Sequence, residues 1–364
     1  MTHELLLNEL WQATLTRLGG TTAIEASARE KGAFLRSRGV VCATDLLRLV
    51  LAYCLGGMGL RLTSAWAASA GLADLSNVAL LKRLRKCGAW MEHLAGTLLS
   101  SGIQSEAGGR RIRLLDGTTV PKAGKEAKKN SGLWRLHCAF DLPEERFSFI
   151  ALTDEKGGER LDRVSFAKGD IAIADRGYMH PEPLAHILEQ GADVIVRTPW
   201  TGARWLNEDD KLFDLLAALK AAESAGVLDR PIWIARKNAS ALALRLVAIR
   251  KPPFATEAAR AQARQTAQRK GRTISSGTLV AAEWVILVTS LDAKAFPADR
   301  IGELYRARWR IEIAFKRLKS LIGLSAPPSE DPQIAKTWIL AHLLMILLLE
   351  PHTSAPEISP RMAA

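Results

Sequence analysis

The sequence is poor in sulfur: its 364 residues hold four cysteines, Cys42, Cys54, Cys87 and Cys138. No two of them stand in a CxxC or other close pair, which argues against a zinc ribbon or a dithiol centre and leaves isolated buried thiols of a reducing compartment. Long apolar runs are also missing. The most apolar stretch, "WILAHLLMILLL" from Trp338 to Leu349, is shorter than the roughly 20 residues that span a bilayer and contains His342. It is expected to be a buried helix, with no membrane partner. The first residues, "MTHELLLNELWQATLTRLGG", carry acids and lack the basic flank of a signal peptide, so a cytoplasmic, nucleoid-associated bacterial protein is expected. No internal repeat is visible. Acidic residues are in deficit, 38 against 50 Lys plus Arg, giving a net charge of +12 and a pI near 9.7. That excess suggests a polyanionic partner, nucleic acid first and an anionic membrane second.

What is present is a substantial apolar fraction, 48% with a mean hydropathy of +0.02, ample for a core and for two or three domains. Residues 1–105 read as an all-helical N-terminal region. Within it "LRLTSAWAASAGLADLSNVALLKRLRKC" gives a small-residue helix, a turn around Gly71 to Asn77 and a helix carrying Lys82, Arg83, Arg85 and Lys86. This fits a helix-turn-helix that approaches DNA and, equally, an ordinary helical hairpin with a solvated basic face. From about 106 to 200 the pattern turns to strands: "RIRLLDGTTV", "WRLHCAFDL", "RFSFIALTD", "DIAIADRGY" and "ADVIVRTPW". A helix, "HPEPLAHILEQG", separates the last two, with Pro181 near its start and Gly191 past its end. Such an order predicts a mixed α/β sheet. Residues 201–298 read as a largely β insertion holding one exposed basic helix, "ATEAARAQARQTAQRKGR". A helix over 299–322 and a C-terminal helix complete the core by about 350, and 351–364 reads as a disordered tail.

Two aspartates close apolar runs: Asp116 before Gly117 in "IRLLDGTTV", and Asp175 before Arg176 and Gly177 in "IAIADRGY". Each strand would deliver its carboxylate to the sheet edge, and the glycine would let the chain turn away. Alone, either reads best as a turn-forming Asp. Side by side they would repel unless divalent cations offset the charge, and a third carboxylate usually completes such a pair.

That third acid stands in "YRARWRIEIAFKRLK". On a helix Tyr305, Arg308, Glu312, Lys316 and Lys319 share one stripe, and Ile311, Phe315, Leu318 and Ile322 form an apolar stripe beside it. A solvated helix with i,i+4 pairs would explain Glu312 but not Tyr305, Lys319 or the aspartates. The spacing Y-x2-R-x3-E-x6-K resembles the YREK signature of insertion-sequence DDE transposases, the group named after insertion sequence four, and "LLDGTTV" and "IADRGY" resemble that group's two aspartate motifs. The resemblance covers about 110 to 325 well and the helical start loosely.

The resemblance implies a ribonuclease-H-like mixed-sheet core with a β-rich insertion, preceded by an all-helical domain. It implies Asp116, Asp175 and Glu312 as catalytic acids holding two Mg²⁺ or Mn²⁺ ions, and cut-and-paste transposition through a DNA hairpin. Tyr305, Arg308 and Lys319, with Lys316 beside them, would bind phosphates. Trp284 would offer a stacking face to an extruded base, or else fill a strand core. Lys122, Lys125, Lys128 and Lys129 form either a loop that grips DNA or a solvated one. Double-stranded DNA, as transposon ends and target, and a homodimer on that DNA are the implied partners. A metal-dependent nuclease, or a catalytically silent DNA-binding remnant of a decayed element, would share much of this sequence. The remnant is expected to have lost an acid, and all three are present. His137 and His180 have no partners at metal spacing.

Overall fold

The computed structural model describes residues 3–100, 110–123, 133–142, 146–154, 156–321 and 326–353, with side chains for 10–99, 110–123, 133–142, 146–154, 156–316 and 326–349. Six helices come first: α1 (His3–Arg17), α2 (Gly20–Glu30), α3 (Ala43–Leu55), α4 (Leu60–Ser69), α5 (Asn77–Leu84) and α6 (Gly88–Ser100). The strands β1 (Ile112–Pro121), β2 (Leu133–Leu142), β3 (Arg146–Asp154), β4 (Ile171–Ala174) and β5 (Asp193–Arg197) follow, with α7 (Pro181–Glu189) crossing from β4 to β5. Helix α7 opens on Pro181 and is followed by Gly191 at φ 77°, the left-handed conformation that glycine adopts without strain.

The segment after β5 holds β6 (Trp205–Leu206), α8 (Leu215–Ala221), β7 (Val227–Ile234), β8 (Leu242–Arg250), α9 (Pro253–Arg269), α10 (Ser276–Ala282) and β9 (Trp284–Thr289). Its strands do not form a separate layer. The nine strands of the described residues join one sheet in the order β3-β2-β1-β4-β5-β9-β8-β7-β6. The β1–β4 and β4–β5 pairings are parallel and the other pairings antiparallel. Helix α9 has no buried residue, as its basic composition predicts.

Alternating side chains send apolar groups to both faces of the sheet. Leu114, Ile173, Ile195, Val247 and Leu287 face one core together with Leu15, Trp90 and Leu348 from the flanking helices. Leu115, Ala172, Ala174, Val194 and Val288 face the other, against α7 and α8. Closing the first face are α11 (Ala298–Arg306), α12 (Trp309–Leu321) and α13 (Pro332–Thr353).

Helix α13 contains a stretch, Pro332–Leu349, long and apolar enough to cross a membrane, but 67% of it is buried inside the protein. That is the burial of a core helix. Arg17 at the end of α1 donates to the carbonyls of Leu347, at 2.9 Å, and of Leu348, meeting two carbonyls of its last turns.

The single helix expected over 299–322 is two. Between α11 and α12 the N–H groups of Arg308 and Arg310 bond the carbonyls three residues back, Tyr305 at 3.1 Å and Ala307 at 3.0 Å. Such tightening interrupts the α-helical ladder without any glycine or proline.

Candidate active site

Register places the two aspartates. Strands β1 and β4 pair in parallel as far as Leu115 opposite Ala174, so Asp116 and Asp175 are the next residues on neighbouring strands. Each lies two positions beyond a residue of the first core, Leu114 and Ile173, so both carboxylates project toward the face covered by α11 and α12. Asp116 does not end its strand. It is the fifth of ten residues in β1, and Gly117 continues the ladder opposite His137. Gly117 continues the strand and so makes no turn, whereas the chain does turn at Gly177, inside a 3-10 helix over Arg176–Tyr178; neither glycine has a positive φ.

Helices α11 and α12 bring the remaining groups. Ile311 and Phe315 are buried, and the Phe315 ring stacks on Phe147 with centroids 6.1 Å apart. Burying each stabilises the helix position by roughly 1.5–3 kcal/mol, and this apolar anchor fixes the first turn of α12, where Glu312 sits. The Tyr305 hydroxyl donates to Asp175 Oδ1 at 3.2 Å. Arg308, at the interruption between the helices, donates from Nη1 to Asp116 Oδ2 at 3.2 Å and from Nη2 to Glu312 Oε1. One guanidinium thus spans Asp116 and Glu312. Arg197, at the end of β5, lies 3.9 Å from Asp175 Oδ1.

The two aspartates differ electrostatically. Burial pushes the Asp116 carboxyl up to about 6; the Gly117 N–H and Arg308 pull against this, while Glu159 and Glu312 add to it. Asp175 is also lifted by burial, but the Arg176 N–H, Arg308, Arg197 and the Tyr305 hydroxyl outweigh that and hold it below the usual carboxylate range. Burial, then the charge of Asp175, raise the Tyr305 phenol to about 12, so it stays a hydrogen-bond donor at neutral pH.

Among the described residues no three His, Cys, Asp or Glu side chains stand close enough to enclose a metal ion. The Arg308 guanidinium takes the interval between Asp116 and Glu312, and the Glu312 side chain is 53% exposed. The donors nevertheless suit a hard divalent cation: all are carboxylate oxygens, and Asp116 carries negative charge that its surroundings leave under-compensated.

Of the other expected residues, Lys316 is exposed on the same helix. The side chain of Lys319 and the loop residues Lys125, Lys128 and Lys129 lie outside the described residues. Trp284 opens β9 in the second core, on the face opposite the aspartates, and is 3% exposed, the placement of the strand-core alternative. In α5, Arg83 bonds the backbone carbonyl of Arg36 at 3.1 Å and Arg85 pairs with Asp331 at 2.6 Å, contacts that favour the helical-hairpin reading there. Sequence reasoning passed over Glu159, Arg197 and Trp309, the last 48% exposed directly after Arg308.

Neighbouring carboxylates at the ends of a strand pairing, a helix-borne Glu, and a Tyr and an Arg that engage them form the candidate active site. The profile of the family described as "Transposase DDE domain" matches residues 107–348. The chain therefore belongs to the DDE transposases of insertion sequences, enzymes of DNA strand cleavage and transfer. It is 38% identical over 347 residues, 93% of each chain, to the transposase InsL of insertion sequence element IS186A from Escherichia coli (strain K12). It is equally similar, 38% over 348 residues and 93% of each chain, to the transposase of IS421 from Escherichia coli. The transposase of IS231D from Bacillus thuringiensis subsp. finitimus is 26% identical over 269 residues, 66% of this chain and 55% of that one.

Proposed function

We propose that the chain is a cut-and-paste transposase that binds the terminal inverted repeats of its element, cleaves them through a hairpin and joins them to target DNA. Asp116, Asp175 and Glu312 are its catalytic acids. The observation that carries this reading is that Asp116 on β1 and Asp175 just past β4 each follow the last paired residues of neighbouring parallel strands, while Arg308 links Asp116 to Glu312 on α12. The strand order β3-β2-β1-β4-β5, with its single crossover helix, supports a ribonuclease-H-like core of which β6 to β9 are the insertion.

Two Mg²⁺ or Mn²⁺ ions held by these carboxylates would lower the pKa of the attacking water and neutralise charge on the leaving oxygen. The residues of the chain do the rest. Arg308 releases Asp116 and Glu312 and turns its fork to a phosphate, which it can bind in two-point fashion. Tyr305 keeps Asp175 oriented through its hydroxyl. Lys316 and Lys319 add charge for the DNA backbone along the same helix. Hydrolysis at the transposon end frees a 3′-hydroxyl, which attacks the opposite strand to close the hairpin, and after reopening it attacks target DNA. The helical N-terminal region supplies further DNA contacts, and two copies act together because two ends must be joined.

The test is cleavage of labelled end DNA from the element's own repeats with Mg²⁺ or Mn²⁺. A nick followed by a hairpin, absent with Glu312→Gln, is expected. Metal-independent binding with no product from either protein would leave a DNA-binding remnant as the better account.

A further inference from the structure

The glycines after the two aspartates have a common neighbour. A Cβ built on Gly117 would lie 3.2 Å from Glu159 Oε1, and one built on Gly177 would lie 1.7 Å from Glu159 Oε2. A side chain at Gly177 would collide with this carboxylate, and one at Gly117 would press tightly against it. Glu159 comes from the irregular segment after β3, and Oε1 also lies 3.6 Å from Arg135 Nη1 on β2. In β1, successive side chains alternate between faces, so Gly117 turns toward the face opposite the Asp116 carboxylate. Glu159 therefore stands behind the strands that carry the aspartates, where the pairing of β1 with β4 has already ended.

We infer that Glu159 is a positioning residue of the active site, lodged in a slot between Gly117 and Gly177. From there it holds the diverging ends of β1 and β4 at the separation at which Asp116 and Asp175 share divalent cations. It does so from behind the sheet, tied to β2 through Arg135, and its negative charge deepens the potential that draws cations to the front. Removing it frees the backbone of both glycines and removes that charge together. The inference rests on the proposed metal-binding role of the two aspartates.

The experiment measures Mn²⁺ binding to the full-length protein without DNA, by electron paramagnetic resonance, alongside melting temperature. Glu159→Ala is expected to raise the Mn²⁺ concentration for half-saturation about tenfold, the scale on which outer partners of metal ligands act, with little change in the melting temperature. Glu159→Gln, which fills the slot without the charge, should give a smaller rise and covers the case in which the alanine variant folds poorly. Gly177→Ala should reproduce the Glu159→Ala shift and add nothing to it in the double variant, because the atom it would strike is then gone. Unchanged Mn²⁺ affinity in both Glu159 variants, or a loss matched by a fall in melting temperature, would overturn the inference. Asp116→Asn is the control: if it also leaves Mn²⁺ binding intact, the metal-binding reading of the aspartates fails, and this inference fails with it.

Discussion

Arg113 and Asp116 stand three residues apart on β1, face opposite sides of the sheet and each belong to a charged cluster, yet the clusters are built differently. Around Arg113 every group is matched. Its Nε donates to Asp141 Oδ1 at 2.9 Å, Nη1 to the Ser165 carbonyl at 2.6 Å and Nη2 to Ser148 Oγ at 2.7 Å, while Ser148 donates to Asp141 at 2.5 Å. Arg113 and Asp141 are both buried. Around Asp116, by contrast, Asp175 and Glu312 gather against Arg308 and the more distant Arg197, with Glu159 and Arg135 behind the strands, and the cluster opens to solvent at Glu312. A cluster that satisfies itself is scaffold. One that leaves negative charge over is where something cationic belongs.

The contrast is testable. The largest effect expected is on chemistry: Glu312→Gln or Asp175→Asn should reduce end cleavage by about a thousandfold or more, roughly 4 kcal/mol in barrier, with the melting temperature little moved. Cleavage that survived either change, read on a denaturing gel, would break the comparison. Next comes the scaffold cluster, where Asp141→Ala leaves the buried Arg113 uncompensated and is expected to cost about 3–5 kcal/mol in denaturant unfolding.

A third effect has the opposite sign. The Asp116 carboxyl is raised to about 6 from its ordinary 3.8, so the folded protein binds that proton more tightly than the unfolded chain does. The penalty for ionising it is absent below about pH 4, grows through pH 6 and is complete above. Asp116→Asn should therefore stabilise the metal-free protein at pH 8 by up to about 3 kcal/mol, with no gain at pH 4, even as it abolishes cleavage. Equal melting temperatures at pH 8 would mean that Asp116 is as well matched as Asp141. Smallest is Arg308→Lys, which keeps the charge but loses the fork across Asp116 and Glu312. A stability change of about 1 kcal/mol or less and weaker binding of end DNA in a salt titration are expected.

How much of this the sequence disclosed depends on the range of the interaction. Strands β1 to β5 and α7 lie where alternation and Pro181 with Gly191 placed them, because pleat and cap are local. The β character of residues 201–298 was also legible, but not that its strands extend the central sheet, since pairing partners leave no trace in periodicity. Tyr305, Arg308 and Glu312 do converge on the aspartates, although not on one straight helix: the interruption at 307–308 has no glycine or proline to announce it. Glu159 was invisible for a different reason. It sits in an irregular segment with no period, and the glycines that accommodate it had a more familiar explanation in turns.

The placement of α13 bears on when the site comes into being. The core beneath Asp116 and Asp175 takes Leu15 from the first helix and Leu348 from the last, and Arg17 ties the two by their ends. During synthesis, then, Asp116, Asp175 and Glu312 emerge before the helix that joins α6 and α3 into the core on their side of the sheet. A polypeptide halted after α12 would carry all three carboxylates, with α11 and α12 over the sheet, and would leave the apolar sides of α6 and α3 uncovered, prey for proteases and chaperones. A stable fold around these carboxylates is thus expected only once α13 has been made, and not as soon as Glu312 has.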